Sequence, residues 1–207
     1  MNDSYQYIEK KTCLTRSALE VIASNHFPVH VITKSDLVLR DIEILERIAS
    51  VYAAVTFTVT TVNESLQARI EPNSPPASAR FEAMRLLSES GIHVGITLMP
   101  VLPYLTDSVE NITSIIDTAA RFGAEYIIGS FGVTLRDRQR DYFLEIVESI
   151  FPELADRYRQ QFGLSYLCRS ENASQLETVF KNKCCEKGIS TSIPVYDPLD
   201  TGQLSLF

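Results

Sequence analysis

The sequence predicts an α/β protein with parallel strands, and three stretches carry that reading. Val29-His30-Val31-Ile32-Thr33 and the run from Ala53 to Thr61 are rich in β-branched residues with few to spare for solvent, as strands covered on both faces are. Between them Ile42, Leu45, Ile48 and Ala49 recur at helical spacing, leaving Glu43, Glu46 and Arg47 outward. A helix there returns the chain to lay the second strand beside the first in a right-handed βαβ unit.

Taken in order, Thr12 or Thr15 is expected to cap a first helix over Arg16 to Ser24, with Leu19, Ile22 and Ala23 on its apolar side. The strand at 29–33 follows, and Asp41 is expected to cap the helix after it. Beyond the strand at 53–60, the prolines of Glu71-Pro72-Asn73-Ser74-Pro75-Pro76 forbid continued helix or sheet and predict an extended loop. A helix from Pro76 or Ala77 to Ser90 is stopped by Gly91. A strand at 94–99 ends in Pro100 and Pro103. Asp107 caps a helix over 109–122, Gly123 ends it, and a fourth strand occupies 125–129.

Beyond Gly132 the pattern turns helical and charged, over 142–150, 152–161 and 173–187, with no further strand of comparable quality. Ile193-Pro194-Val195-Tyr196 is too short and proline-containing to be more than an edge. Arg136, Arg138 and Arg140 are diluted by Asp137 and Asp141, so they read as a solvated helix start rather than a nucleic-acid contact.

The chain has 207 residues, 45% of them hydrophobic and 22% charged, enough for one sizeable core and a tail. Its formal charge of -7 argues against sequence-independent DNA affinity, which needs clustered Lys and Arg, although a local basic patch is compatible with it. No apolar run approaches the roughly 20 residues of a membrane span. The N-terminus lacks a secretory layout, so a cytoplasmic protein is expected. Cys13, Cys168, Cys184 and Cys185 match no zinc or iron–sulfur spacing and read as reduced thiols. His26, His30 and His93 stand at unrelated spacings and read as structural.

Lys34 and Ser35 fall at the C-terminal end of the first strand, where parallel sheets bind small molecules. Thr56, Thr58 and Thr60 share one face of the second strand. If that face looks inward beside Lys34, a cation and a hydroxyl ladder line one pocket, suited to a carboxylate or a ribose. A solvated lysine and a threonine chosen for strand propensity account for the same residues.

Several motifs in this order resemble the radical S-adenosylmethionine (SAM) superfamily, in particular its spore photoproduct lyase-like, DNA-repair-type group. They are Leu14-Thr15-Arg16, Ile32-Thr33-Lys34-Ser35 with Leu39-Arg40-Asp41, Phe57-Thr58-Val59-Thr60-Thr61, Glu71-Pro72 through Pro75 to Arg80, and Gly91 to Pro103 with Met99-Pro100. The resemblance covers roughly residues 3 to 130. It implies a partial TIM-type (β/α) barrel over 1–132 with about four parallel strands retained, a helical C-terminal region over 133–190 and an extended tail over 191–207.

The family's cluster-binding Cys-x-x-x-Cys-x-x-Cys motif does not occur in this sequence, which is therefore expected to be a barrel lacking its first two strands. By resemblance Lys34 would meet the SAM carboxylate, Thr58 a ribose or carboxylate oxygen, and the backbone around Met99 would lie by the adenosine. Without ligands for the family's [4Fe-4S] cluster, weak or no SAM binding and an inactive half-site are expected, with no catalytic residue and no metal ligand assigned. The expected partners are a separate N-terminal half, or a second copy through the open sheet edge. A different enzyme class would use Lys34 as a Schiff-base nucleophile of a lyase. A non-enzymatic reading rests on Gln203-Leu204-Ser205-Leu206-Phe207, which resembles the bacterial sliding-clamp-binding motif. Gln203 would make polar contacts there, and Leu204, Leu206 and Phe207 would enter an apolar cleft.

Overall fold

The computed structural model describes residues 3–194 and 196. Four parallel strands, β1 (Val29–Thr33), β2 (Ala53–Thr58), β3 (His93–Leu98) and β4 (Tyr126–Gly129), form one sheet in chain order. This is the expected portion of a TIM-type barrel. Val31, Val55, Phe57, Val94, Ile96, Leu98 and Ile127 point to one face and enter the main core with the helices. The opposite face carries His30, Lys34, Thr56, Thr58, Thr97 and Tyr126, because side chains alternate along a strand.

Two helices precede β1: α1 (Glu9–Thr12) and α2 (Leu14–Ser24), joined at Cys13 in the left-handed region. Neither Thr12 nor Thr15 caps α2 with its side chain. Glu9 does so instead, its carboxylate accepting the amides of Leu14 at 3.0 Å and Thr15 at 3.1 Å. Sequence spacing hides this, since the carboxylate reaches forward across a kink between two helices.

Ser35, not Asp41, opens the next helical stretch, accepting the Leu37 amide and starting a 3-10 turn over Asp36–Asp41 that leads into α3 (Ile42–Ala49). Asp41 is fully buried, and it accepts from Tyr5 Oη at 3.0 Å, Arg16 at 2.8 Å and Arg40 at 2.8 Å. Arg40 also reaches Glu9 at 2.9 Å, so one ion-pair network ties residues 5–16 to the start of α3. The carboxylate that sequence reading assigned to a cap is the centre of that network.

After β2 comes α4 (Glu64–Ile70), capped by Asn63, a helix not assigned from the sequence, and the proline run at 71–76 follows it as the expected loop. Then follow α5 (Ala77–Glu89), β3, α6 (Val109–Arg121) and β4. Ser108, not Asp107, caps α6. Gly91 and Gly123 take positive φ just past α5 and α6, and so end them as expected.

Two strands escaped the sequence reading: β5 (Gly132–Thr134) pairs antiparallel with β6 (Leu167–Arg169). Three residues each is too short for a periodic signal. Between them α7 (Asp137–Ile150) and α8 (Pro152–Phe162) form a hairpin, and α9 (Ala173–Lys187) returns to the main core through Leu176, Phe180 and Cys184. Arg140 is buried, not solvated, and donates to the carbonyls of Gly163 (2.6 Å), Leu135 (3.1 Å) and Ser165. No helix among the described residues is long and apolar enough to cross a membrane.

Candidate functional site

The site lies at the C-terminal ends of the strands. The register sets Thr33 opposite Phe57 and Thr58 opposite Thr97, so Lys34 follows β1 at the level of Thr58 on the adjacent strand. Lys34 Nζ sits 3.0 Å from Glu71 Oε1, and the other carboxylate oxygen of Glu71 takes Arg80 at 2.8 Å. Arg80 in turn donates to the Thr58 carbonyl at 2.7 Å and the Pro75 carbonyl at 3.0 Å. The Thr58 and Thr97 hydroxyls lie 2.9 Å apart. Met99 follows two residues after Thr97 on the same face, half-buried, and the peptide before Pro100 is cis.

Geometry divides the roles of the two cations on Glu71. The Arg80 side chain is 1% exposed, and three hydrogen bonds, to the Pro75 carbonyl, the Thr58 carbonyl and the Glu71 carboxylate, hold it in place. Lys34 is 36% exposed. Burial alone would raise the Glu71 carboxyl, but the charges of Lys34 and Arg80 overcome it and hold the carboxyl below the usual range. Glu71 thus has two cationic partners, one buried in Arg80 and one partly exposed in Lys34.

Two cavities meet at Lys34. One of about 420 Å³ is lined on the β1 side by Asp3, Tyr5, Tyr7, Lys10, Lys34 and Ser74. Another of about 220 Å³ lies beneath β5 and α7, among Lys34, Thr60, Glu71, Pro100, Gln139 and Phe143. The larger is of the size that small-molecule sites occupy, roughly 300–1,000 Å³. Asp3 closes its inner wall, accepting the Lys34 amide at 2.8 Å and the Thr33 hydroxyl at 2.7 Å.

Lower on the same face a polar chain crosses the whole sheet. His30 Nε2 lies 2.6 Å from Thr56 Oγ1, which lies 2.6 Å from Tyr126 Oη. Burial pushes the Tyr126 phenol up to about 12 and lowers His30, so the neutral forms of both are favoured. Sequence reading found Lys34 and Thr58 but missed that Glu71, Arg80, Thr97 and Tyr126 stand with them. Glu71 and Arg80 lie within the motif quoted above, yet nine positions of chain and a helix start separate them, so their pairing is a tertiary fact.

The four thiols do not form a cluster site. Cys13 is half-buried at the α1–α2 kink, Cys168 is buried in β6, Cys184 is buried in the core and Cys185 is exposed. Among the described residues no three His, Cys, Asp or Glu side chains are placed to hold a metal ion. A [4Fe-4S] cluster does not fit these residues. Lys34 is held against a carboxylate, not in the desolvated apolar pocket that a Schiff-base nucleophile requires. Gln203, Leu204, Leu206 and Phe207 lie outside the described residues.

An α/β half-barrel with a charged, hydroxyl-lined site at its strand ends is the class of protein that fold and site define. The family model of the radical SAM superfamily matches residues 2–116, more than half of the chain, and the chain belongs to that superfamily. An uncharacterised protein of Mycobacterium tuberculosis is 28% identical over 161 residues, which cover 77% of this chain and 47% of that protein. An uncharacterised protein of Methanocaldococcus jannaschii is 36% identical over 107 residues, 52% of this chain and 40% of that protein. The chain thus spans about half the length, or less, of the curated relatives it matches.

Among solved structures, a spore photoproduct lyase complexed with dinucleoside spore photoproduct superposes with a TM-score of 0.63 at 17% identity, over 88% of this chain and 56% of that one. A radical S-adenosylmethionine methyltransferase from Kitasatospora setae superposes with a TM-score of 0.54 at 11% identity, over 87% and 41%. At these identities the likeness is one of fold.

Proposed function

We propose that this chain is a spore photoproduct lyase-like radical SAM half-barrel that keeps the SAM-facing strand ends and does not cleave SAM alone. The observation that carries the reading is the partly exposed Lys34, paired with Glu71 beside Thr58, in a superfamily whose ligand carries a carboxylate and a ribose. Lys34 would leave Glu71 to Arg80 and take the SAM carboxylate. Thr58 would offer its hydroxyl to a ribose or carboxylate oxygen, and the backbone around Met99 would border the adenosine. SAM supplies the sulfonium chemistry of the family, while these residues bind and orient it. The fold likeness to spore photoproduct lyase supports a role in DNA repair.

Titration calorimetry with SAM tests the binding step. Lys34→Ala is expected to weaken SAM about tenfold, one charge-assisted contact, while leaving the unfolding midpoint close to that of the original chain. Equal affinity in Lys34→Ala and Thr58→Val would overturn the assignment of the site.

A second reading, compatible with the first, is that Gln203, Leu204, Leu206 and Phe207 bind a sliding clamp, which would bring an acidic chain to DNA through a protein partner. Its support is the pentapeptide alone.

A further inference from the structure

The outer edge of β1 has no strand neighbour among the described residues. Val29 donates its amide to Tyr52 on the β2 side, so Val29, Val31 and Thr33 spend their backbone groups inward, while His30 and Ile32 direct theirs outward. The Lys34 amide, of the same parity, points outward too and is taken by Asp3. The open part of the edge is therefore short and centred on Val31.

One face of α2, the helix before β1, is also unpartnered among the described residues. Leu19, Ile22 and Ala23 turn α2 into the core, and Arg16–Glu43 and Arg47–Glu20 ion pairs fix one flank against α3. On the other flank Leu14, Ala18 and Val21 recur at i, i+4 and i+7, all exposed, Leu14 at 69% and Val21 at 63%. Phe27 is 62% exposed in the connection from α2 to β1. Six of the eleven exposed large apolar residues among those described fall within residues 7–32, the segment that carries α1, α2 and β1.

We propose that this flank binds a second copy of the chain about a two-fold axis through Val31 and Ala18. Antiparallel pairing of β1 with its copy sets His30 opposite Ile32 and Ile32 opposite His30. All the outward donors and acceptors of both edges are then satisfied in four hydrogen bonds. The same axis serves the helix. The short connection makes α2 antiparallel to β1, and Ala18 stands about 9 Å above the lower end of α2, where Val31 stands about 7 Å above the lower end of β1. Leu14 of one copy then meets Val21 of the other across two small Ala18 side chains. A stable interface needs about 800 Å² per partner, which a strand edge, a three-turn helix face and the Phe27 ring together can supply.

Sedimentation equilibrium of the full chain up to about 100 μM, where a micromolar dimer is mostly formed, tests this. Ile32→Pro removes one outward amide and leaves the β2 pairing, and Val21→Glu charges the helix stripe at an exposed position. Leu164→Glu, on an exposed residue of the α8–β6 connection, is the control. The expected result is a dimer that becomes monomeric in both interface variants and persists in the control. A monomer throughout, an oligomer that survives either interface variant, or one dispersed by Leu164→Glu would overturn the proposal. Circular dichroism matching the original chain certifies that each variant is folded, and Val21→Glu keeps the test decisive if the proline variant is not.

Discussion

The phenol of Tyr126 lies across Gly95 and places its oxygen 2.6 Å from Thr56 Oγ1, joining β4 to β2 over the intervening strand. Any Cβ at position 95 would collide with the ring, so a glycine in the middle of β3 is the condition for the brace. His30 extends it to β1, so β1, β2 and β4 are tied on the face away from the helices, with β3 lying under the ring. A sheet that does not close on itself within the described residues gains lateral restraint from this row.

Gly95→Ala is expected to cost about 1–3 kcal/mol through overpacking, read as a lower urea midpoint with unchanged slope. Adding Tyr126→Leu should recover part of that loss, because the clash disappears with the ring. Strict additivity of the two changes would show that the ring and the glycine are uncoupled.

Acid should loosen two places at once. Glu71, Glu9 and Asp41 all have carboxyls held below their ordinary values: burial opposes this in each, and hydrogen bonds or charges from arginines, with Lys34 at Glu71, outweigh it. A carboxyl depressed in the folded state adds stability that is present above its unfolded value and is lost as pH falls through the folded one. The unfolding midpoint should therefore drop from about pH 5 downward. Glu71→Gln should lower the midpoint at pH 7 and flatten that acid slope, since it leaves Arg80 buried against a neutral amide, a change in the class that costs about 3–5 kcal/mol. An acid slope identical to that of the original chain would remove Glu71 from this account.

Reconstitution with iron and sulfide under anaerobic conditions is expected to give no stoichiometric [4Fe-4S] cluster, and incubation with SAM and a reductant no 5'-deoxyadenosine. Among the described residues no three metal-ligating side chains are grouped, and the four thiols lie at the α1–α2 kink, in β6 and on α9. Detection of reductive SAM cleavage by this chain alone would sink the half-site reading.

A peptide of residues 197–207 is expected to bind purified sliding clamp at micromolar affinity, roughly -8 kcal/mol. Three apolar anchors worth about 1.5–3 kcal/mol each when buried can supply that after ordering costs. Leu206→Ala with Phe207→Ala should abolish binding. Equal binding by that variant would show the pentapeptide match to be chance.

What the sequence determined by itself was local. The β-branched runs gave four parallel strands in chain order, and Gly91 and Gly123 marked helix ends, because strand burial and left-handed turns are written in contiguous residues. The quoted motifs placed Lys34, Thr58 and Met99 at the strand ends. Tertiary structure alone decided the partners. Asp41 left its expected cap for a network with Tyr5, Arg16 and Arg40, and Arg140 left solvent for three carbonyls. Glu71 found Arg80 across a helix start, and Tyr126 found Thr56 across a glycine. Each of these is a buried polar group taking whichever complementary atom the packed helices and strands bring near, and that choice depends on distances in space that residue spacing does not encode.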